Sequence, residues 1–333
     1  MKTFVPGLVI GALIIGSSAV AAQDGGGILQ QIQDRGKLVC GIHGSSPGMS
    51  ALDADGNYQG MDADYCRALA AVTLGDSEAI EWVTLTGDAR GPAIQSGEVD
   101  VIFRQTTNTT TRDAQWGNFG PTILYDGQGI MVPADSGIAT LEDLDGTEIC
   151  VTTGTTTQQT LAELGIDHDP KPFAESDELY AAYDQGACQA VTADRSQLLG
   201  RLGTLTGEHT ILPFVLSKEP LGPVVPNGDD QWLDIVTWVV NATIEAEERG
   251  VTQENVASLV GGDNVVLRRL LGDEGQLGTA LGLSDDFVVT VISAVGNYGE
   301  IYDRHFGPDA LDLDRGPNNL WNNGGILYSP PFK

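Results

Sequence analysis

From Leu38 onward the sequence alternates short apolar runs with helical patterns, and this alternation is the feature that most restricts the fold. The segments Leu38 to Ile42, Ile80 to Leu85 and Val99 to Phe103 predict three strands, and Asp62 is expected to cap the helix that follows the first one. Strands that alternate with helices are typical of α/β domains with mainly parallel sheets. Loops that leave the carboxyl ends of such strands are where ligands bind.

A second cycle of the same kind follows and predicts a second lobe. Its expected strands and helices are Glu148 to Val151, Thr156 to Leu164, Asp177 to Gln185, Cys188 to Thr192 and His209 to Phe214. We expect residues 128–225 to form this lobe. Residues 23–127 and 226–333 would form the first lobe, with an amphipathic helix from Asp229 to Arg249 and a carboxyl-terminal extension beyond Thr252. The extended stretches Gly127 to Val132 and Pro220 to Val225 are our candidates for two hinge crossings.

The first 22 residues are predicted to be a secretory signal peptide. Lys2 precedes an apolar run from Phe4 to Ile15, and small residues follow as far as Ala22. This run is shorter than the roughly 20 residues that a membrane-spanning helix requires. We expect a soluble exported protein without a lipid anchor, because no cysteine lies at the cleavage site.

The chain carries 46 acidic and 17 basic residues. Nucleic acids and anionic membranes repel such a surface, so this composition argues against both as partners. The net charge contains no information about a small ligand.

The four cysteines are an even set in a chain that we expect to be exported, which favours disulfides. Their spacing matches no zinc motif, so we expect no metal. Four cysteines allow three pairings. We favour Cys40 with Cys66 and Cys150 with Cys188, because each pair would join neighbouring elements of one lobe.

The motifs that mark two common enzyme classes are absent. The chain has no His-Glu-x-x-His and no Gly-x-x-x-x-Gly-Lys sequence, and its four histidines are scattered without ligand spacing. We expect no catalytic residue and no cofactor.

The segment Arg104-Gln-Thr-Thr-Asn-Thr-Thr-Thr-Arg112 places hydroxyl and amide groups between two guanidinium groups. It follows a predicted strand, and an arginine fork can hold a carboxylate through two parallel hydrogen bonds. A carboxylate receptor is one interpretation. The other is an exposed loop in which Arg112 pairs with a surface acid.

Two further segments follow strands of the second lobe. Val151-Thr-Thr-Gly-Thr-Thr-Thr157 leads into a helix whose first N–H groups attract anions, although ordinary capping also explains its threonines. Asp194 could accept hydrogen bonds from an ammonium group, or it could cap the helix that begins at Arg195. A carboxylate and an ammonium recognised side by side describe an α-amino acid.

Several segments resemble the periplasmic amino-acid-binding proteins of ABC transporters, and in particular the general L-amino-acid-binding subgroup. The resemblance extends from about Arg35 to Lys333. It is carried by Gly60–Arg67, Gln95–Asp100, Arg104–Asp113, Tyr125–Gly129, Val151–Thr157, Lys218–Pro223, Gly228–Trp232 and Gly296–Ile301. It implies a type 2 periplasmic-binding fold, in which two lobes with mainly parallel sheets and flanking helices are joined by two hinge crossings.

The resemblance also implies roles for the polar residues. Arg112 would hold the ligand's α-carboxylate, with help from Thr107 and Thr156. Asp194 would bind the α-ammonium, and Gln105 would contribute its backbone carbonyl or its side chain.

Further ligand contacts are expected from neighbouring positions. Thr155 and Thr157 would line the same turn, and Arg104 could assist acidic side chains. Many relatives place an aromatic ring in the loop after the first strand. Here that loop reads His43 to Met49, with Ser46 at about the position of the ring.

The function implied is that of a periplasmic, monomeric receptor that binds free amino acids, closes around them and delivers them to the membrane permease subunits of an ABC transporter. The alternative is an enzyme on the same scaffold, such as a small-acid dehydratase or lyase, because a fold does not fix a function.

Overall fold

The computed structural model describes residue 1 and residues 27–333. The signal peptide predicted for residues 1–22 therefore lies outside the described residues, apart from Met1.

The amino-terminal part of the chain forms short strands and four helices. In chain order these are α1 (Ile28–Arg35), β1 (Leu38–Ile42), β2 (Ser45–Ser46), β3 (Ser50–Leu52), β4 (Tyr58–Gln59), α2 (Met61–Leu74), β5 (Ile80–Thr84), α3 (Arg90–Ser96), β6 (Val101–Ile102), α4 (Thr110–Gln115) and β7 (Asn118–Phe119).

The middle of the chain continues the alternation of strands and helices. Its elements are β8 (Leu124–Pro133), β9 (Thr147–Thr152), α5 (Thr156–Glu163), β10 (His168–Phe173), α6 (Ser176–Asp184), β11 (Ala190–Asp194), α7 (Arg195–Leu202), β12 (His209–Ile211) and β13 (Lys218–Leu221).

One short strand and six α-helices follow. They are β14 (Val224–Val225), α8 (Asp230–Arg249), α9 (Val256–Leu259), α10 (Val265–Leu270), α11 (Leu277–Leu281), α12 (Phe287–Val295) and α13 (Tyr298–Phe306). The tail beyond them contains 3-10 helices at Gly316–Asn318 and Trp321–Asn323.

These strands form two main sheets, which confirms the predicted α/β class. The first has the order β5-β1-β6-β14-β7, with β5, β1 and β6 parallel. The second has the order β10-β9-β11-β8-β12, with β10, β9 and β11 parallel. We call each sheet with its packed helices a lobe.

The chain passes between the lobes in two antiparallel strands. The start of β8 pairs with β13, from Leu124 opposite Leu221 to Gly127 opposite Lys218. Further along, β8 pairs with β11 and β12 inside the second sheet. The passage thus lies a few residues before each stretch that the sequence suggested, because Val224 and Val225 already pair within the first sheet.

Helix α8 shows how the sequence pattern sets the packing of the first lobe. The Asp229 carboxylate accepts the Trp232 N–H, and Gly250 ends the helix with a φ of 67°. The apolar residues at spacings of three and four are all buried: Trp232, Ile235, Val236, Val239, Val240 and Ile244. Helix α12 packs on α8 and α2, so the carboxyl-terminal extension belongs to the core of this lobe.

The start of α2 differs from the prediction that Asp62 caps it. The helix begins at Met61, and Gly60 is the residue before it, with a φ of 132°. A Cβ at Gly60 would lie 2.1 Å from the Met49 carbonyl oxygen, so this turn requires glycine. Asp62 is consequently inside the helix, where it is buried and accepts the Gln105 N–H.

The two favoured disulfides are present. Cys40 of β1 is bonded to Cys66 of α2, and Cys150 of β9 is bonded to Cys188, which comes just before β11. Each bond lies within one lobe, as the pairing argument expected.

Within residues 27–333, none of the helices combines the length and apolar character that crossing a bilayer needs. The same residues contain no group of three or more His, Cys, Asp or Glu side chains that could hold a metal ion.

We predict that replacing both Cys40 and Cys66 by alanine lowers the free energy of unfolding by about 3 kcal/mol. The disulfide restricts the unfolded chain over a sequence separation of 26 residues. Urea denaturation of the variant and of the unaltered protein measures the difference. The Cys150–Cys188 pair, with a separation of 38, should give a loss of similar size. Unchanged midpoints would show that neither bond contributes.

Candidate functional site

A cavity lies between the two lobes, at the carboxyl ends of strands from both sheets. It receives residues from the loops after β1 and β6 on the first lobe and after β9 and β11 on the second. Its lining includes 8 of the predicted ligand residues, namely Arg104, Gln105, Thr107, Arg112, Thr155, Thr156, Thr157 and Asp194. The rule that ligands bind at the carboxyl ends of strands, which we call the strand-end rule, therefore selected residues that are far apart in the sequence but line the same cavity.

Ser46 does not belong to this lining. It lies in β2, is fully buried, and its hydroxyl contacts no hydrogen-bonding group among the described residues. Gly44 to Gly48 also fits the Gly-x-Ser-x-Gly pattern of serine hydrolases. However, β2 pairs antiparallel with β3 instead of turning into a helix, so Ser46 is not at a nucleophile elbow.

Arg112 is held rigidly by its neighbours. The Thr109 side chain caps α4 by accepting the Arg112 N–H at 3.2 Å. Nη1 of Arg112 donates to the Thr107 carbonyl at 3.1 Å, and the guanidinium lies 4.9 Å from the centre of the Trp116 ring. The side chain is 6% exposed. A buried, oriented guanidinium with remaining N–H donors can bind a carboxylate.

Asp194 lies at the end of β11 and at the start of α7, but its side chain does not cap that helix. No donor among residues 27–333 forms a hydrogen bond to its carboxylate. Burial raises its pKa well above the usual value, and the nearby carboxylates of Asp126 and Glu219 raise it further, while Arg90 and Arg112 oppose the shift. A cationic group would be stabilised beside this carboxylate.

The turn after β9 is a helix start, and its residues Thr155, Thr156 and Thr157 line the cavity. The Thr155 hydroxyl accepts the Gln158 N–H at 3.1 Å and donates to the Thr152 carbonyl at 2.6 Å. Thr155 is thus the cap of α5. The first N–H groups of a helix have no intrahelical acceptor. The N–H groups of Thr156 and Thr157 can therefore donate hydrogen bonds to a carboxylate oxygen.

Glu219 was missed from the sequence and changes the expected roles of two threonines. This residue is 1% exposed, and its carboxylate accepts the hydroxyl protons of Thr107, Ser217 and Thr156, the last at 2.8 Å. A hydroxyl has one proton, so Thr107 and Thr156 have none to donate to a ligand carboxylate. Their remaining lone pairs suit a ligand ammonium.

Arg90 was also missed, and it connects the lobes. It is 1% exposed and donates to Gly87 and Gln105 carbonyls of its own lobe at 3.1 and 3.3 Å. It also donates to the Gly154 carbonyl of the second lobe at 3.1 Å, and Arg112 reaches the same carbonyl at 3.4 Å. Burial lowers the pKa of Arg90, as do the nearby Arg104 and Arg112.

His43, Ser176 and Gln197 line the cavity as well and form a second bridge. His43 Nε2 lies 3.0 Å from the Ser176 hydroxyl and 3.4 Å from Gln197 Nε2. Burial lowers the pKa of His43 well below its usual value, and the charges of Arg104, Arg201 and Arg90 add to this effect. His43 directly follows β1, so the strand-end rule could have identified it.

The chain is similar to known proteins along most of its length. Residues 38–254 match the family described as bacterial extracellular solute-binding proteins, family 3. The general L-amino acid-binding periplasmic protein AapJ of Rhizobium johnstonii is 42% identical, with 100% of both chains covered. The glutamate/glutamine/aspartate/asparagine-binding protein BztA of Rhodobacter capsulatus is 40% identical, with 100% of this chain and 99% of the relative covered.

A solved structure is similar over the same range. The ABC transporter/periplasmic binding protein from Brucella ovis with glutathione bound has a TM-score of 0.89 and 41% sequence identity. The match covers 92% of this chain and 100% of that chain.

We predict that Thr107→Val lowers the free energy of unfolding by about 1.5–3 kcal/mol, because the buried Glu219 carboxylate loses one of its three hydroxyl donors. Thr107→Ser keeps the hydroxyl and should stay close to the unaltered protein. Denaturant titration of both variants measures the effect. Equal stability of the valine and serine variants would contradict this account of Glu219.

We predict a pH-dependent gain in stability for Asp62→Asn. Burial raises the pKa of Asp62 from 3.8 to about 7, so between these values the unfolded chain releases the proton first and the contribution of Asp62 to stability falls as pH rises. The asparagine oxygen can still accept the Gln105 N–H. The variant should therefore gain up to about 4 kcal/mol of unfolding free energy over the original protein from pH 4 to pH 7.

Denaturant titrations at several pH values measure this gain. Asp135→Asn changes an exposed residue and serves as the matched control, which should show no such trend. A difference between Asp62→Asn and the unaltered protein that stays constant with pH would contradict the burial argument.

Proposed function

Because the chain belongs to family 3 of the bacterial extracellular solute-binding proteins, we propose that it is the amino-acid receptor of an ABC transporter and binds a broad range of L-amino acids. It is a binding protein, as its relatives are, and not an enzyme. The ligand residues, the closing motion and the delivery step below are parts of this proposal.

One observation carries the proposal. Arg112 of the first lobe and Asp194 of the second line the same cavity and interact electrostatically. Each has hydrogen-bonding capacity that the described residues leave unused. An α-amino acid supplies both missing partners, since its carboxylate complements the guanidinium and its ammonium complements the aspartate.

The ligand's α-carboxylate would lie between the Arg112 guanidinium and the N–H groups of Thr156 and Thr157. Its ammonium would lie against Asp194 and the hydroxyl oxygens of Thr107 and Thr156. Glutathione, the ligand of the similar Brucella protein, has a free α-carboxylate and α-ammonium at its glutamyl end. That ligand therefore presents the same pair of charges.

Hinge closure follows from the division of these groups between the lobes. A ligand can contact both Arg112 and Asp194 when the lobes are together, so binding favours the closed form by the difference in contacts. The antiparallel strands β8 and β13 would act as the hinge. We propose lobe boundaries at residues 127/128 and near residue 218, because Val224 and Val225 pair within the first sheet, with the extension beyond Thr252 on the first lobe.

The remaining parts of the proposal concern location and partners. We propose that residues 1–22 direct export and are removed, that no lipid is attached, and that the protein acts as a monomer in the periplasm. The permease subunits of the transporter would recognise the closed form. The name of AapJ, a general L-amino acid-binding periplasmic protein, supports the proposed location.

We predict that Arg112→Ala lowers amino-acid affinity by at least about 100-fold, because a buried ligand carboxylate loses its charged partner. A thermal-shift screen against the common L-amino acids first identifies ligands, since a ligand that binds the folded state raises the melting temperature. Isothermal titration calorimetry with the best ligands then compares the variants.

Arg268→Ala is the matched control. Arg268 lies on α10, pairs with Glu274 and is not part of the cavity lining, so its removal should leave the affinity unchanged. Wild-type affinity in Arg112→Ala would exclude the assigned role. A protein that binds none of the amino acids would exclude the proposed function itself.

A further inference from the structure

The cavity contains more polar groups than the α-amino and α-carboxylate groups of a ligand can use. Arg112, Asp194 and the threonines account for the zwitterion. Arg104, Gln105, His43, Ser176 and Gln197 also line the cavity. These five residues form a second polar surface, which we call the distal surface.

Arg104 is the strongest feature of the distal surface. The side chain is 5% exposed, and its Nε donates to the Leu85 carbonyl at 2.6 Å. Its two Nη atoms have no acceptor within residues 27–333. Arg90, by contrast, uses its guanidinium on four backbone and hydroxyl oxygens. Arg104 is thus a largely buried guanidinium that lines the cavity with Nη donors that a ligand can use.

Gln105 has the same property. It is 7% exposed, and neither Oε1 nor Nε2 of its buried amide has a partner among the described residues. Its backbone has a φ of 38°, which is unusual for a residue other than glycine, and its N–H is held by the Asp62 carboxylate at 3.1 Å. The fold thus supports an unfavourable backbone conformation that leaves a free amide in the cavity wall.

The charges around the distal surface favour an anionic or neutral polar group. Arg104 remains protonated at neutral pH, although burial lowers its pKa to about 10. Asp62, one of its neighbouring carboxyls, has a pKa raised to about 7 and does not fully balance its charge at that pH. The lowered pKa of His43 keeps the ring neutral, so it can accept as well as donate a hydrogen bond. Glu175 also lies near Arg104.

We propose that Arg104 and Gln105 determine specificity by binding the distal group of the ligand's side chain, and that they favour a carboxylate or carboxamide over apolar or cationic side chains. This inference rests on the proposed function. Arg104 would donate to a carboxylate or carboxamide oxygen. Gln105 would complete the contact by donating to a carboxylate or by accepting from a carboxamide. Amino acids with short apolar side chains would bind through their α-groups alone.

Calorimetry of the full-length protein with L-glutamate, L-glutamine, L-alanine and L-lysine tests the proposal. The unaltered protein should bind glutamate and glutamine more tightly than alanine, and lysine most weakly of the four. Arg104→Met should lower glutamate affinity by about 10- to 100-fold, since one or two charge-assisted hydrogen bonds are lost. Its affinity for alanine should change by less than about threefold.

Two conservative variants separate recognition from a structural role. Arg104→Lys keeps the positive charge but removes the planar fork, so it should retain a smaller preference for glutamate over alanine. Gln105→Asn shortens the amide and tolerates a positive φ, and it should weaken glutamine more than alanine. If Arg104→Met does not fold, the ratio of glutamate to alanine affinity in Arg104→Lys decides.

The outcomes distinguish this inference from the proposed function. An equal loss for all four ligands, or an unchanged preference for glutamate in the folded Arg104 variants, would overturn the specificity role and leave the amino-acid receptor intact. No binding of any of the four to the unaltered protein would count against the proposed function instead. A selective loss of glutamate and glutamine supports the inference.

Discussion

Arg112 and Asp194 line one cavity and come from different lobes, and each leaves part of its hydrogen-bonding capacity unused. Burial is unfavourable for both charges, as the lowered pKa of Arg112 and the raised pKa of Asp194 indicate. The packed cores of the two lobes and the two disulfides stabilise the fold and offset this unfavourable contribution. A zwitterion bound to both groups would offset the unfavourable free energy of burying their charges. It can contact both groups when the two lobes are together.

A second group of buried carboxylates supports the site without lining it. Glu219 fixes the hydroxyl protons of Thr107 and Thr156, and Asp62 fixes the backbone of Gln105. These contacts determine which lone pairs and which N–H groups are directed at the ligand. Glu219 is also on β13, one of the two strands that connect the lobes, so a residue that supports the polar lining lies in the proposed hinge. Local hydrogen bonds thus connect the cavity lining to a strand that joins the two lobes.

The sequence identified much of the cavity lining because its residues follow predicted strands. Arg112 and Asp194 both come after apolar runs, and parallel strands end at a common edge. Ser46 was chosen by position in the first loop, but the chain turns there into a small antiparallel sheet, and His43 lines the cavity in its place. Arg90 and Glu219 gave no comparable signal, because one begins a helix and the other lies within an extended stretch.

The sequence by itself determined the α/β class, the two cycles of strands and helices and the polar loops at the strand ends, and it favoured the disulfide pairing that the structure shows. These features follow from local periodicity, turn residues and chain order, which a linear pattern records. The tertiary structure alone decided which hydroxyl protons Glu219 accepts and which arginines have acceptors for their N–H groups. It also decided which side chain of the loop after β1 lines the cavity. Those properties depend on contacts between residues distant in sequence, such as Thr107 and Glu219, and on the removal of water when the lobes pack together.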